Sequence, residues 1–199
     1  MANHGVSDRE LVVLLDDQCQ PVGTAPKSTV HGRTTPLHLA FSCHVVTEDG
    51  YVLVTRRAST KAAFPGVWTN AFCGHPWPGE DLADAVRRRG QQELGLAVDR
   101  LRLVMPQYRY HAVDDQGIME NELCPVFVAG VRSRAVAPAR SEVSDHAWIP
   151  VRHLGEVART SPFLLSPWSA EQIRFLIDLQ QPSESFSGLL GGRGAVPDH

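Results

Sequence analysis

The stretch from Thr69 to Glu80, TNAFCGHPWPGE, sets a cysteine and a histidine two residues apart among glycines and prolines. Cys73 and His75 are types that clamp a metal, act as a nucleophile or carry a proton; a tight turn with an inert buried thiol is the plain alternative. In YHAVDDQGIMENELCP (110–125), Glu120 and Glu122 are two apart where a strand should begin, so period-two geometry puts both carboxylates on one face. The apolar run that follows, from Leu123 to Val128, places the pair at the mouth of a buried strand, where like charges are costly without a cation. His31 and His38, in KSTVHGRTTPLHLAF (27–41), are too far apart to form a metal motif by spacing. With His75, Glu120 and Glu122 they make a donor set suited to a divalent transition metal, if the fold brings the five together.

Cations gather around the same stretch. Lys27, Arg56, Arg57, Lys61, Arg88 and Arg89 border the turns that lead to Cys73 or follow it. Each alone reads as a solvated charge; their concentration suggests an anion site. The chain as a whole carries a formal charge of −3, which argues against general binding to nucleic acid or anionic membranes, so any phosphate site must be local.

The elements that would position these residues are legible in part. Leu11–Leu15 reads as a strand ended by Asp16-Asp17. Ala40–Thr47 and Tyr51–Arg57 read as a hairpin turned by Glu48-Asp49-Gly50. Asp81–Leu94 has helical spacing, with Gly95 as its stop. Strands are expected at Leu101–Met105, Gln107–Ala112, Leu123–Val131 and His146–Ile149. Ser166-Pro167-Trp168 opens a helix to about Leu179 as cap and first turn. The sum is a mixed α/β (α+β) domain of hairpins with about three helices, spanning 11–181 between a loose N-terminal tail, 1–10, and a Ser/Gly/Pro-rich tail, 182–199, expected to be disordered.

At 199 residues and 43% hydrophobic content, one substantial core is expected. The N-terminus MANHGVSDRE lacks a secretory pattern, and no apolar run approaches the roughly 20 residues of a membrane span. The four cysteines form no CxxC pair, so free thiols in a reducing cytoplasm are the expectation. Neither a nucleic acid nor a membrane is expected as partner, and the oligomeric state is expected to be monomer or weak dimer.

Gly74, Glu80, Arg88, Glu93 and Gly95 fall on the frame of the Nudix box, a loop-helix-loop that presents glutamates to a metal-bound diphosphate. Arg89 and Gln92 stand where that box carries further carboxylates, so the frame reads as keeping diphosphate binding and losing hydrolysis. Beyond the box, LHLAFS (37–42), TRRA (55–58), PGVWTNAFCGHP (65–76), YRYHAVDDQGIMENELCPVF (108–127) and SPW (166–168) occur in order. Together they make the chain, from about Leu11 to Gln180, resemble the type I isopentenyl diphosphate isomerases of the Nudix superfamily.

The resemblance implies a Nudix-like mixed sheet flanked by helices and a small isoprenyl diphosphate as substrate. It implies Cys73 and Glu122 as the acid/base groups, with Tyr110 bonded to Glu122 and Trp168 facing the hydrocarbon. His31, His38, His75, Glu120 and Glu122 would hold Zn²⁺ or Mn²⁺, and Glu93 would contribute to Mg²⁺. Lys27, Arg57, Lys61 and Arg89 would hold the diphosphate oxygens. Phe72 and Trp77-Pro78 depart from the family pattern and would alter the immediate lining, and His111 stands where an arginine is common in bacterial relatives, at one of the substrate contacts the resemblance implies. A Nudix diphosphohydrolase and an inert diphosphate-binding module are the competing readings.

Overall fold

The computed structural model describes residues 10–178; the tail at 182–199 and all but Glu10 of the tail at 1–10 lie outside them. The chain begins with β1 (Leu11–Leu15), β2 (Pro21–Pro26) and a single turn of helix, α1 (Lys27–Val30). It continues through β3 (His38–Leu39), β4 (Phe41–Thr47), β5 (Tyr51–Arg57), β6 (Trp68–Thr69) and β7 (Phe72–Gly74). After α2 (Leu82–Leu94) come β8 (Arg100–Met105), β9 (Arg109–Val113), β10 (Met119–Leu123), β11 (Val126–Val131) and β12 (Val143–Pro150). The described chain closes with α3 (Val151–Thr160), a 3₁₀ turn (Pro162–Leu164) and α4 (Pro167–Asp178).

Two mixed sheets result. One runs β2-β1-β3-β10-β9; the other runs β12-β5-β4-β11-β8, with β6 beside β5 and β7 beside β4. The sheets are stitched together where two parallel neighbours cross from one to the other: β3 continues into β4 through Ala40, and β10 continues into β11 through Cys124-Pro125. Backbone bonds from Ala40 N to Leu123 O and from Ser42 N to Pro125 O hold the crossing. Pro125 has no N–H to give a ladder, so the single strand expected over Leu123–Val131 is broken there. Glu120 and Glu122 lie inside β10, not at the mouth of the following strand.

The large sheet is covered on both faces. Phe41, Cys43, Val45 and Leu53 pack with Ala85, Val86 and Leu94 of α2. On the opposite face Val46, Val52, Val54 and Val128 pack with Leu154 of α3 and Ile173 and Leu176 of α4. Double burial explains why β4 reads as a nearly continuous apolar run. The helix α2 is bounded as its sequence predicts: the Asp81 side chain accepts from the Ala83 and Asp84 N–H groups, and Gly95 closes it at φ 63. The helix α3 was not expected; it spans VRHLGEVART, whose polar content hides a narrow apolar stripe of Leu154 and Ala158. Among the described residues no helix is long and apolar enough to cross a membrane.

Candidate active site and metal centre

The junction between the sheets is where the chemical residues meet. Register pairs Glu122 with His38 on one side and with Tyr110 on the other, so three functional side chains stand abreast on one face. His75 follows β7, and His31 follows α1. The His31, His38, His75 and Glu122 donor atoms all lie within 4.8 Å of one another, and Glu120 Oε2 lies 2.9 Å from His31 Nε2. Four of the five candidate ligands thus share one donor set, and Glu120 adjoins it through His31.

Several details suit this cluster to a divalent ion. His38 Nδ1 lies 2.9 Å from the Pro36 carbonyl; donation there leaves Nε2 as a lone pair facing Glu122 Oε1 at 3.3 Å, the outer-shell pattern of metal-ligating histidines. His31 Nε2, His38 Nε2 and Glu120 Oε2 are buried and crowd against one another or against Glu122, yet none is engaged with the alignment of a hydrogen bond. Burial opposes charge on His31, but the adjoining Glu120 and Glu122 carboxylates outweigh it and raise its pKa to about 9. Burial also opposes charge on Glu122, yet hydrogen bonding within the imidazole cluster, from His31 foremost, holds it well below the carboxylate range. Two buried carboxylates inside an imidazole ring call for a positive charge.

Cys73 and Tyr110 stand on the same cavity wall as Glu122. The Tyr110 hydroxyl donates to Glu122 Oε2 at 2.9 Å. Cys73 Sγ lies 3.3 Å from Ser42 Oγ and 3.4 Å from Asn70 Nδ2. Burial pushes the thiol to about 11, against the pull of those two partners. Gly74 lets the stretch lie close to its neighbours: a Cβ there would come 2.8 Å from Arg89 Cγ and 2.9 Å from Phe41 Cζ.

Cys73, Tyr110, Glu120 and Glu122 share a cavity of about 500 Å³ with Trp168 and with all four expected diphosphate cations, Lys27, Arg57, Lys61 and Arg89. The cations are already partnered. Lys27 pairs with Glu10 at 2.7 Å, and Lys61 pairs with Glu142. Arg89 bonds Glu93 and lies 3.3 Å from Glu142. Arg57 gives Nε and Nη2 to the carbonyls of Ala63 and Phe64, so it also anchors the loop that carries Phe64. Phe64 is held in the left-handed region at φ 50, a strained conformation for a bulky residue, and meets Trp168 edge-on with ring centroids 5.1 Å apart. Trp168 is 1% exposed; its indole N–H is fixed on Asn70 Oδ1 at 3.0 Å.

Several of the residues singled out in the sequence stand apart from the cavity lining. Glu93 is buried on α2 with both Arg89 bonds on its Oε1, and it does not line the cavity. It could give at most one further oxygen to a magnesium ion, which ordinarily keeps waters and takes phosphate oxygens as well. Phe72 packs in the core against Phe41, and Trp77 lies outside the cavity, stacked on Arg88 with 4.0 Å from guanidinium carbon to ring centre. His111 points away from the site, because it alternates with Tyr110 along β9. Conversely, Glu10, Ser42, Asn70, Glu142 and Gln172 belong to the cavity or touch its residues and were not foreseen. Buried Ser42 and His44 inside the apolar β4 were the sequence signal for the network that includes Gln172.

The sequence also matches a family model, NUDIX domain, over residues 36–174. It is 54% identical over 168 residues to a Kocuria rhizophila protein named isopentenyl-diphosphate Delta-isomerase, covering 84% of this chain and 93% of that one. A Clavibacter sepedonicus protein of the same name is 49% identical over 188 residues, covering 94% and 96%. One from Mycolicibacterium vanbaalenii is 53% identical over 167 residues, covering 84% and 91%. Among solved structures, one from Deinococcus radiodurans superposes with a TM-score of 0.62 at 18% identity, covering 83% of this chain and 98% of that one. A MutT protein from Methanosarcina mazei gives 0.58 at 17% identity, covering 73% and 97%. At these identities the structural likeness speaks for the fold.

Proposed function

The chain belongs to the NUDIX family and, within it, to the isopentenyl-diphosphate Delta-isomerases, and from that membership we propose how its cavity moves a double bond. The enzyme interconverts isopentenyl diphosphate and dimethylallyl diphosphate. In the forward direction a proton adds to the terminal methylene carbon, leaving a tertiary carbocation, and a proton then leaves the neighbouring methylene. One proton enters and one departs, so the reaction needs two groups in opposite protonation states and no redox partner.

Cys73 and Glu122 are those two groups, placed to act on the two faces of the bound alkene. The observation that carries this reading is their shared cavity: a thiol held protonated by burial stands near a carboxylate held ionised by its imidazoles. Because the reaction is reversible, each serves as acid in one direction and as base in the other. Tyr110 orients Glu122 and passes its proton. Positioned proton transfer typically contributes about 10²–10⁴-fold. Trp168 faces the isoprenyl end, where an indole stabilises a desolvated cation by about 2 kcal/mol or more. Lys27, Arg57, Lys61 and Arg89 receive the diphosphate.

His31, His38, His75, Glu120 and Glu122 would hold a divalent transition ion, Zn²⁺ or Mn²⁺, and Glu93 would lend an oxygen to Mg²⁺ arriving with the diphosphate. An ion held in the histidine cluster would supply positive charge beside the Glu122 carboxylate and lower its basicity.

A proton NMR time course of isopentenyl diphosphate with magnesium in deuterated water tests the reading. Loss of the terminal methylene signals, growth of the dimethylallyl signals and deuterium incorporation are expected. Release of phosphate or pyrophosphate without a double-bond shift would identify a hydrolase instead.

A further inference from the structure

The strand β4 is buried along its whole length, yet Ser42 and His44 interrupt it with polar side chains. Both meet Gln172 of α4. Gln172 Nε2 donates to Ser42 Oγ at 3.1 Å, and Gln172 Oε1 lies 3.0 Å from His44 Nε2. All three residues are completely buried. Ser42 Oγ in turn lies 3.3 Å from Cys73 Sγ and 3.4 Å from Cys124 Sγ. A hydrogen-bonded line therefore runs from His44, through α4, to the thiol on the cavity wall.

His44 sets the direction of that line. Its Nδ1 is buried without a partner, and an unpaired lone pair is cheaper there than an unpaired N–H. The ring hydrogen therefore sits on Nε2 and donates to Gln172 Oε1. Burial also lowers the His44 pKa to about 4, so the ring stays neutral. Gln172 is left with its amide nitrogen toward Ser42. Ser42 Oγ accepts that bond, and its own hydrogen is free for a sulfur. Of the two sulfurs in reach, that of Cys73 belongs to the cavity. Asn70 Nδ2 lies 3.4 Å from the same sulfur, but its two hydrogens go to the Phe72 and Cys43 carbonyls at 2.7 and 3.1 Å, which leaves the Ser42 hydroxyl as the donor for Cys73.

We propose that Gln172 is a positioning residue for the isomerase: oriented by His44, it aims the Ser42 hydroxyl hydrogen at Cys73, so that the sulfur keeps a donor whenever it has passed its proton to substrate. A sulfur bearing negative charge in a buried wall needs such donors. The inference rests on Cys73 being a proton carrier, as argued above.

Steady-state kinetics on isopentenyl diphosphate with the magnesium-loaded, folded enzyme test it. Gln172→Met keeps the side chain's length and removes its hydrogen bonds; it should lower kcat about tenfold and leave KM within about twofold. Ser42→Ala removes the same link from the strand side with little change of volume and should lower kcat at least as much. Because Gln172 acts through Ser42, adding Gln172→Met to Ser42→Ala should cost nothing further in kcat. Wild-type turnover in Gln172→Met or in Ser42→Ala overturns the inference. So does a Gln172→Met loss that multiplies with the Ser42→Ala loss to about a hundredfold, because a merely structural role would act independently. None of these results touches the role of Cys73, which Cys73→Ala tests separately: that variant should lose exchange of substrate protons with deuterated water. Retained exchange in it would remove the Cys73 reading and the inference together.

Discussion

Tyr110 and Glu122 face each other in register across β9 and β10, and the phenol donates to one oxygen of the carboxylate, Oε2, at 2.9 Å. The other oxygen, Oε1, faces His75 at 3.2 Å, His38 at 3.3 Å and His31 at 3.9 Å. One carboxylate is thus divided between a phenol and a cluster of imidazoles. Tyr110→Phe should lower kcat about tenfold or more, because hydrogen bonds to charged groups contribute about 1.5–3 kcal/mol. KM should change little, and a kcat equal to that of the parent enzyme would take Tyr110 out of proton delivery.

The second prediction concerns the cluster itself. His38→Ala removes a proposed ligand whose ring the Pro36 carbonyl orients. Purified His38→Ala should retain less than a tenth or so of the tightly bound transition metal, since loss even of an outer-shell partner costs about 10–100-fold in affinity. Elemental analysis after dialysis reads this without reference to turnover. Equal metal content in parent and variant would place the ion elsewhere.

Lys61 and Arg89 should separate when each is changed to Ala. Both line the cavity and are the proposed partners of the diphosphate, so both variants should raise KM more than they lower kcat. Arg89 pairs directly with the buried carboxylate of Glu93, whereas the direct partner of Lys61 is the more exposed Glu142. Arg89→Ala should therefore destabilise the fold by about 3–5 kcal/mol, while Lys61→Ala should leave the melting temperature nearly unchanged. Denaturant unfolding of the two variants decides; equal stability would show that the Arg89–Glu93 pair is not holding α2.

Stability should fall in mild acid because of His44. Burial lowers its folded pKa to about 4, against an ordinary value of 6.5. Between those values the unfolded chain binds a proton that the native chain refuses, so stability is lost as pH falls from about 6.5 to about 4. Over that window the His44 contribution amounts to about 3 kcal/mol. His44→Phe lacks this titration, and its unfolding free energy should vary less with pH across the window. Parallel curves for parent and variant would mean that His44 is protonated in the native state.

Gly74→Ala should be costly for a steric reason. The added methyl meets both Arg89 and Phe41 below 3.0 Å, and Phe41 is fixed in the core. Overpacking of this kind costs about 1–3 kcal/mol, and the shift falls on Cys73 and His75, its chain neighbours. Lower thermal stability together with lower kcat is the expected pair; a variant normal in both would show that the stretch has room to move.

Local rules accounted for much of the fold. The β4–β5 hairpin, the cap and stop of α2 and the Ser166-Pro167 opening of α4 were legible because turn residues, capping carboxylates and left-handed glycines act over a few neighbours. The short β3, β6 and β7 were not, since two or three residues carry no period and become strands only through their partners. The donor types of the metal cluster were visible in the sequence, but their convergence comes from pairing β3 with β10 across 84 residues of chain.

The sequence by itself determined which chemistries were present: thiol, carboxylates, imidazoles and a group of cations around one glycine-rich stretch. The tertiary structure decided how they are coupled. It paired Arg89 with Glu93, set Trp77 and His111 outside the cavity, and ran Gln172 and His44 behind Cys73. Those relationships depend on which side chains share a buried space, where an unpaired polar group is expensive, and no spacing along the chain encodes that.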